Sequence, residues 1–520
     1  MAARGGLTAA AMALRPLLVS RVIRSSMVST SMVCWRRRLI GLPHRYCTSR
    51  TSQTLWEPPD ASWSAFDRRP RSMQPPPPSQ HGLLLAWQQR QQRPPGFLAR
   101  PLSHPTGHPS GEIHDGQEGH LVVVARSGTG KNRSCVMPWL LTHDGAALVV
   151  DIKGENALVC ARHRRELGQQ VHVFNPFGLQ AMAFAERGFT PARCNPIDEL
   201  DPEHEDFADD CMTLAEDLAG PAPPNLPDPF WRSGALGLIA AAIAWVAWAA
   251  RYVAGVPPED RSLGGVWRLL CAHDLTYRLA VILDTHAQHA RFTPYIHEEF
   301  GNLLEAEEKV RMSIRSEALS LMRVFSSPRI QQATSASDFK IATLSDPEAR
   351  DSIFVVMPAE RLASHAAVLR VLLGRALMAI ARRQTRPTQP TLIVLDELAQ
   401  IGPLPAVKVA VTLLRGFGAK VAICLQSVAQ LRGMWPTDYA TILENSALLN
   451  FGNASEAAAH EVAQQLGDID ATKLFALGDE EMAVHLPGHR TFVARKLDYL
   501  SDALFKGRFD PSPYYTARRR

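Results

Sequence analysis

Residues 120–141, HLVVVARSGTGKNRSCVMPWLL, have the residue types and spacing of a phosphate-binding loop. An apolar run, Leu121–Val124, enters a turn that contains Gly128, Gly130 and Lys131, and a second apolar segment follows. Glycines in such a turn let consecutive backbone N–H groups point inward at the start of a helix, and the lysine neutralises the β and γ phosphates. The stretch therefore predicts a nucleotide site between a strand and a helix.

This loop departs from the usual G-x-x-x-x-G-K-[ST] pattern at its first and last positions, which are Ala125 and Asn132. The last position normally carries a hydroxyl that binds magnesium. Magnesium must instead be held by the Asn132 carbonyl oxygen, by a water molecule, or by a more remote hydroxyl such as that of Ser134, which its place along the helix disfavours. Taken alone, the stretch could also be a glycine-rich turn that matches by chance.

A second segment, residues 391–404, TLIVLDELAQIGPL, is an apolar strand that ends in Asp396 and Glu397. In a Walker B strand the first carboxylate holds magnesium, usually through water, and the following glutamate orients the attacking water or accepts its proton. Two acids that cap a core strand are the alternative for this segment alone. Because open α/β sheets bind ligands at the carboxyl ends of their strands, the two motifs together predict a site for ATP and Mg²⁺.

Short apolar runs rich in β-branched residues alternate with helical stretches from Gly119 onwards. They are residues 121–125, 147–152, 171–174, 352–357, 391–396, 421–426 and 447–452. Continuous apolar runs of this kind are typical of parallel strands that are covered on both faces. We therefore predict an α/β fold with a mainly parallel sheet.

The strands stop between about residue 200 and residue 335, where apolar residues recur at helical spacing, as in Glu308–Phe325. This pattern predicts an all-helical domain, residues 200–335, inserted into the α/β domain. The nucleotide-binding domain then comprises residues 119–199 and 336–515.

Residues 1–118 are rich in arginine and proline, and we predict an irregular, peripheral segment in which the histidines at 104, 108 and 114 are solvated. No apolar stretch in it approaches the roughly 20 residues of a membrane-spanning helix. Its first 50 residues resemble a mitochondrial transit peptide in composition. A tail that does not fold, or a start site placed too early, is the preferred interpretation.

The composition fits a globular protein, with 21% charged and 46% hydrophobic residues. The net charge of +5 does not by itself indicate a nucleic-acid partner. Nine arginines and no lysine or acidic residue fall in residues 1–56, so the rest of the chain is net negative. The eight cysteines include no C-x-x-C pair, which favours free thiols in a reducing compartment.

One stretch, Gly234–Ala250, is apolar throughout and comes close to the length of a membrane span. It is rich in alanine and glycine, which contribute little to transfer into lipid, and Arg232 and Arg251 flank it. We predict a buried helix of a large domain rather than a membrane span.

Further motifs occur in a fixed order along the chain: VMPWLL (136–141), VDIKGE (150–155), VFNPFG (173–178), CNPI (194–197), DPFWRSGALGL (228–238), RVFSSPRIQQATSASDF (323–339) and LLRGFGAKVAICLQSVAQL (413–431). With the two nucleotide motifs, they resemble the coupling proteins of type IV secretion and conjugation systems, the TraG/TraD-like relatives of FtsK and RecA-like motor ATPases. The resemblance runs from about Gly119 to about Tyr515. It implies a RecA-like P-loop NTPase fold with an inserted all-helical domain.

The resemblance also implies roles for individual residues. Family members often begin the loop with Ala or Gly and lack a hydroxyl after its lysine, so Ala125 and Asn132 fit the family's habit, although Asn is not its usual residue. The residues that would bind nucleotide are Ser127, Gly128, Thr129, Gly130, Lys131 and Asn132. Asp396 would hold magnesium, and the catalytic set would be Glu397, the γ-phosphate-sensing Gln426, and Arg415 as an arginine finger that reaches a neighbouring subunit. A solvated helix charge is the alternative for Arg415.

The implied function is an ATP-driven motor that recruits a DNA–protein substrate and drives it into a type IV secretion channel. Its implied partners are DNA, a relaxase-type protein, the channel's ATPases and membrane components, and copies of itself in a hexameric ring. The implied location is the cytoplasmic face of the bacterial inner membrane. Family members normally begin with two membrane-spanning helices, which residues 1–118 do not contain. Recruitment by partners, or a separately encoded N-terminal part, would account for that.

Two other functions stay open at this point. A nucleotide-binding platform that docks protein cargo without pumping is favoured by Asn132 and by the missing membrane-spanning helices. A generic DNA translocase or helicase would not explain the helical insertion.

Overall fold

The computed structural model describes residues 82–87, 112–115, 119–223, 228–453 and 455–514. The expectations for the Arg-rich segment through residue 50, and for the histidines at 104 and 108, lie outside these residues. Within them the chain forms one mixed sheet with helices on both faces.

The described strands are β1 (Leu84–Trp87), β2 (Glu112–His114), β3 (His120–Val124), β4 (Ala147–Asp151), β5 (Gln170–Phe174), β6 (Asp351–Val356), β7 (Thr391–Leu395), β8 (Ala419–Leu425), β9 (Ser446–Asn450), β10 (Glu481–His485) and β11 (Phe492–Arg495). Their order in the sheet is β2-β1-β11-β10-β9-β3-β8-β7-β4-β6-β5. The strands from β9 to β5 are parallel, and the four beyond β9 are antiparallel to their neighbours. The prediction of an α/β fold with a mainly parallel sheet is confirmed.

The central strands are apolar at nearly all positions away from their ends, and both of their faces are buried. In β3, Val122 and Val124 belong to one hydrophobic cluster, whereas Leu121 and Val123 belong to the cluster on the opposite face. The same alternation occurs in β4. A parallel strand between two helical layers needs this continuous apolar sequence, and helices therefore cover both faces.

The described helices are α1 (Met137–Thr142), α2 (Glu155–Glu166), α3 (Ala181–Glu186), α4 (Phe207–Ala219), α5 (Pro229–Tyr252), α6 (Leu263–Cys271), α7 (Leu275–His286), α8 (Pro294–Glu305), α9 (Glu308–Leu321), α10 (Pro328–Ala333), α11 (Ala366–Ala381), α12 (Leu398–Ile401), α13 (Pro405–Leu413), α14 (Val428–Met434), α15 (Tyr439–Glu444), α16 (Glu456–Leu466) and α17 (Ala471–Phe475). A π-helical turn, Asn132–Val136, leads directly into α1. Between β5 and β6 the described chain is helical or irregular, and α3 to α10 lie there.

Helix α5 contains the apolar stretch Gly234–Ala250. It is long and apolar enough to cross a membrane, but 72% of its most apolar window is buried inside the protein. Its alanines and Ile239, Ile243 and Trp248 pack in the cluster that includes β3 and β4 side chains. The prediction of a buried core helix is confirmed.

The N-terminal side of the sheet differs from the sequence-based expectation. Residues 1–118 were predicted to be irregular, but β1 and β2 lie within this range and extend the sheet beyond β11. His114, predicted to be solvated, is only partly exposed and its Nδ1 lies 2.9 Å from the Gly82 carbonyl oxygen. The prediction was wrong for these strands because β1 is a short apolar run inside proline-rich sequence, which by itself does not indicate a strand. It becomes part of the sheet through hydrogen bonds to β2 and β11.

A buried ion pair joins this N-terminal part to the central sheet. Lys420 Nζ on β8 pairs with the Asp115 carboxylate just after β2, and their side chains are 1% and 2% exposed. Asp115 also accepts a hydrogen bond of 3.0 Å from the Leu83 backbone N–H. Two charges this deeply buried must remain paired, because either one alone would be left unsolvated.

We expect the Lys420→Met substitution to lower the free energy of unfolding by about 3–5 kcal/mol, because it leaves the Asp115 carboxylate buried without its cation. Urea denaturation followed by circular dichroism measures this. The Asp115→Asn/Lys420→Met double variant should recover part of the loss. Lys408→Met is the matched control, since Lys408 pairs with Asp438 at a side-chain exposure of 44%, and its effect should stay below about 1 kcal/mol. Equal effects of the two lysine substitutions would contradict this account.

Candidate nucleotide-binding site

The phosphate-binding loop follows β3 and turns sharply before the helix that starts at Asn132. Gly128 and Gly130 have φ angles of 81° and 87°, which side-chain-bearing residues rarely adopt. The Thr129 hydroxyl donates a hydrogen bond of 2.7 Å to the Arg126 carbonyl oxygen across the turn. Backbone conformation, rather than lack of space, therefore requires glycine here, since a Cβ on Gly128 would meet nothing within 4 Å.

Lys131 lies at the centre of the site and pairs with both acids of the second motif. Its Nζ is 2.9 Å from Asp396 Oδ1 and also contacts Glu397 Oε1. Burial by itself would lower the pKa of Lys131, but the charge of Asp396 and the hydrogen bonds to both carboxylates raise this pKa above its ordinary value. The lysine is therefore held as a cation.

Glu397 has a left-handed backbone conformation, with φ of 59° and ψ of 44°. Such a conformation costs a residue other than glycine on the order of 1–3 kcal/mol, and strain of this kind is concentrated at functional sites. It turns the chain at the end of β7, where Glu397 contacts Lys131. Its Oε2 accepts a hydrogen bond of 3.3 Å from Gln426 Nε2 at the end of β8.

Asn132 contacts the same aspartate from the other side. Its Nδ2 donates to Asp396 Oδ2 at 3.2 Å and lies 3.5 Å from Asn156 Oδ1 on α2. All three side chains are buried. Asp396 thus presents one oxygen to Lys131 and the other to Asn132. Among the described residues this contact is made by Asn132 and not by Ser134.

The segment that follows β4 forms the neighbouring wall. Asp151 is buried, and its Oδ2 accepts a hydrogen bond of 2.9 Å from the Ala157 N–H. Burial raises the pKa of Asp151 to about 7. The hydrogen bonds that its carboxylate accepts from the Ala157 and Lys153 N–H groups oppose this rise, and the charge of Asp396 adds to it. Ser512 Oγ donates to Glu155 at 2.6 Å, so the C-terminal residues also contact this segment.

The structure therefore brings together Lys131, Asn132, Asp396, Glu397 and Gln426 at the carboxyl ends of β3, β7 and β8. Ser127, Gly128, Thr129 and Gly130 form the turn beside them. Asn156 is a site residue that the motifs do not indicate. The available signal was a polar residue directly before the apolar run Ala157–Cys160 of α2, but sequence spacing alone does not place it beside Asn132.

Arg415 lies elsewhere. It is exposed in the turn before β8, at the amino end of that strand, and its charge contributes to the lowered pKa of His120 at the amino end of β3. The seven residues of β8 separate this edge from Gln426, a distance of about 20 Å or more at 3.3 Å per residue. Arg415 is thus far from the nucleotide motifs of its own chain.

Comparison with known proteins identifies the family. The sequence profile of the family described as Type IV secretory system Conjugative DNA transfer matches residues 88–473. The chain belongs to this family. The match begins upstream of Gly119 and continues through the loop, the helical region and the Asp396–Glu397 motif.

Several curated relatives in this conjugative DNA transfer family are similar along most of the matched region. The chain is 25% identical over 315 residues to the conjugal transfer protein TraG of Rhizobium radiobacter, covering 60% of this chain and 46% of that protein. It is 23% identical over 411 residues to the protein VirD4 of Agrobacterium fabrum, covering 76% of this chain and 53% of that protein. The chain spans about half the length of the curated relatives it matches.

Solved structures of the plasmid coupling protein TrwB share the fold. The TrwB complex with ADP and Mg²⁺ superposes with a TM-score of 0.56 at 16% identity, covering 74% of this chain and 87% of that chain. The TrwB complex with the GTP analogue GDPNP gives a TM-score of 0.55. At this identity the similarity shows a common α/β fold.

The raised pKa of Asp151 predicts a specific pH dependence of stability. Between about pH 4 and pH 7 the unfolded chain releases the Asp151 proton while the folded chain retains it. This group's contribution to stability therefore falls as the pH rises through that window. Relative to the Asp151→Asn variant, the native chain should lose on the order of 4 kcal/mol between pH 4 and pH 7. Urea denaturation of both chains in EDTA measures the difference.

The matched control is Asp144→Asn, which removes an exposed carboxylate near the amino end of β4. Its pH profile should follow that of the native chain. Parallel profiles for Asp151→Asn and the native chain would show that Asp151 is already ionised in the folded protein.

Proposed function

We propose that this chain is an ATP-driven coupling protein that recruits a DNA–protein substrate and drives it into a type IV secretion or conjugation channel. The observation that carries the proposal is the cluster of Lys131, Asp396, Glu397 and Gln426 at one edge of a parallel sheet. Membership of the conjugative DNA transfer family supports it. The relatives are named for conjugal transfer, and TrwB for plasmid coupling.

Nucleotide binding exchanges the partners of Lys131. In this structure its ammonium neutralises Asp396 and Glu397, and on binding it would move to the β and γ phosphates. Gly128, Thr129 and Gly130 supply backbone N–H groups beside it. Because the lysine remains protonated, it contributes a full positive charge to the phosphates.

The residues at the site also fit a magnesium ion. Asp396 and Asn132 provide carboxylate and amide oxygens, which are ligands suited to this cation. Among the described residues there is no group of three or more His, Cys, Asp or Glu side chains that could hold a metal by itself. Such a site needs the phosphates to complete it, as magnesium sites in nucleotide hydrolases generally do. When bound, the ion would neutralise the charge that develops on the phosphoryl oxygens.

Glu397 would act on the attacking water. After Lys131 leaves, its carboxylate can accept the water's proton or orient it. Gln426 donates to the opposite oxygen of the same carboxylate, so it can hold Glu397 in position and respond when the γ phosphate is lost.

Arg415 can serve a neighbouring subunit but not its own site. It lies at the opposite edge of the sheet from Lys131, exposed and in a turn. A homo-oligomeric ring, most simply a hexamer, would place this edge against the next subunit's nucleotide. An arginine supplied across an interface stabilises the charge of the transferring phosphoryl group and can be worth roughly 10³–10⁵ in rate.

The substrates follow from the same proposal. DNA would pass through the ring by backbone contacts that do not depend on sequence, carrying a bound relaxase-type protein. The net negative charge outside residues 1–56 means that basic contacts must be concentrated on a small inner surface. Secretion-channel ATPases and membrane components would be the further partners, at the cytoplasmic face of the bacterial inner membrane.

A nucleotide-binding platform that docks protein cargo without pumping is the second candidate. The observation that favours it is Asn132 in the position that normally carries a hydroxyl, where it contacts Asp396 as a donor. The two candidates differ in whether Glu397 supports turnover.

For the first test, Lys131→Ala should weaken both ATP binding and hydrolysis, because it removes the cation that neutralises the phosphates. Glu397→Gln should retain binding but lose turnover by roughly 10²–10⁴-fold, the usual contribution of a catalytic base. Fluorescent-nucleotide titration and phosphate release measure the two quantities. Glu360→Gln, at an exposed glutamate, is the matched control and should leave both unchanged. Binding without any hydrolysis in the native chain would favour the platform.

The second test mixes two inactive chains. Arg415→Ala and Lys131→Ala should each hydrolyse ATP poorly, and their mixture should regain activity. Some interfaces then pair an intact Lys131 site with an intact Arg415 from the neighbour. Arg386→Ala, at an exposed arginine, is the control and should be active alone. If the two chains are shown to co-assemble and activity still does not return, Arg415 does not act across the interface.

A further inference from the structure

We propose that Asn132 turns its carbonyl oxygen towards the magnesium ion beside Asp396, and that Asn156 positions it there by donating a hydrogen bond from its own amide. This rests on the proposed nucleotide and magnesium site and names two of its residues. Asn132 would then replace the missing hydroxyl, rather than leaving magnesium to water or to Ser134.

The first observation is a set of polar atoms that are buried without a hydrogen-bond partner. Within the described part of the chain, Asn132 Oδ1 and Asn156 Nδ2 both fall in this class. Asp396 Oδ1, by contrast, is compensated by the Lys131 ammonium at 2.9 Å. Buried polar atoms in native proteins are normally satisfied, so these two partnerless amide atoms show that the observed orientation does not use the full hydrogen-bonding capacity of the pair.

The second observation is the orientation of the two amides, which is opposite to the one that magnesium binding would need. Asn132 Nδ2 faces Asp396 Oδ2 at 3.2 Å and Asn156 Oδ1 at 3.5 Å. An amide group presents a donor on one side and an acceptor on the other. Rotation of both amides by half a turn would let Asn156 Nδ2 donate to Asn132 Oδ1, which would then lie beside Asp396 Oδ2.

Charge decides which orientation is stable. Without a cation, two oxygens in contact repel, so Asn132 presents its NH₂ group to the aspartate. A divalent cation reverses this preference, because it attracts both oxygens and repels the NH₂ group. Asn132 Nδ2 and Asp396 Oδ2 are 3.2 Å apart, so after the rotation the amide and carboxylate oxygens would lie close enough together to hold one small cation such as Mg²⁺.

The backbone also accommodates the longer side chain. The amide oxygen of Asn lies one bond further from the backbone than a Ser or Thr hydroxyl. Asn132 begins a π-helical turn in which the Met137 N–H donates to the Asn132 carbonyl oxygen, so the first turn is wider than in an α-helix. Turns of this kind recur at functional sites.

The test measures how strongly magnesium increases ADP affinity, without using hydrolysis. ADP is titrated into each full-length chain in excess EDTA and again in excess Mg²⁺. In a separate titration Mn²⁺ is added to the ADP complex, and electron paramagnetic resonance measures the Mn²⁺ that remains free. Asn132→Leu and Asn156→Leu have nearly the native shape but lack the polar atoms. Each should reduce the magnesium effect, measured as the ratio of the ADP affinity in Mg²⁺ to that in EDTA, and the Mn²⁺ affinity by roughly 10–100-fold.

Two variants separate this proposal from its alternatives. Asn132→Thr should retain the magnesium effect, since it restores a hydroxyl ligand, and it also guards against misfolding of the Leu variant. Ser134→Ala should be unaffected, because the remote hydroxyl is not the ligand.

Full magnesium coupling in Asn132→Leu, or its loss in Ser134→Ala, would overturn the assignment of Asn132. Loss in Asn132→Leu with full retention in Asn156→Leu would overturn the role of Asn156. If the native chain binds no ADP under either condition, the proposed function itself fails, which is distinct from these outcomes.

Discussion

The charge on Lys131 is the constraint on which the site depends. A buried ammonium must be neutralised, and its partners, Asp396 and Glu397, come from a different part of the chain. They meet only if β3, β8 and β7 end at one edge in a fixed register, in which Ile423 of β8 pairs with both Val122 and Leu395. A slip of one residue would move the acids by about 3.3 Å and turn their side chains to the other face. The apolar packing on both faces of the sheet therefore also determines the electrostatics of the site.

The helical region is tied to the same framework by buried polar contacts. Arg375 on α11 pairs with Glu199 at 3.4 Å, with both side chains at most 5% exposed. Arg370 on the same helix donates to the carbonyl oxygens of Asp217 and Leu218 at 2.9 and 2.8 Å, which satisfies the C-terminal turn of α4. A cavity of about 300 Å³ lies between this turn, the start of α5 and residues 404–406. The segment just after the Asp396–Glu397 motif thus borders the helical region directly.

The C-terminal residues approach the site from the other side. Asp510 pairs with Arg162 on α2 at 2.7 Å, and Ser512 bonds the buried Glu155. Burial raises the pKa of Glu155, and the hydrogen bond from Ser512 opposes that rise. The segment that carries Asp151 and Asn156 is therefore held between the sheet and the C-terminal residues, which limits how far the wall beside Asp396 can move.

The sequence by itself determined the central strands, the helical nature of the region after β5, and the residues of the nucleotide motifs. These follow from local signals: apolar runs for strands buried on both faces, glycines for a turn with positive φ, and acids at the end of a strand. Motif order along the chain also determined the family, because many short matches in sequence are more specific than any one of them.

Only the tertiary structure decided which polar side chains meet. It placed Asn156 beside Asn132, paired Lys420 with Asp115 across 305 positions of sequence, and put Arg415 at the opposite edge from Lys131. It also made sheet strands of β1 and β2, whose short sequences carry no decisive signal. The physical reason is common to all of these. A charge or amide in a buried position is stable only with its partner, and that partner is brought near by packing of distant elements, which local sequence does not encode.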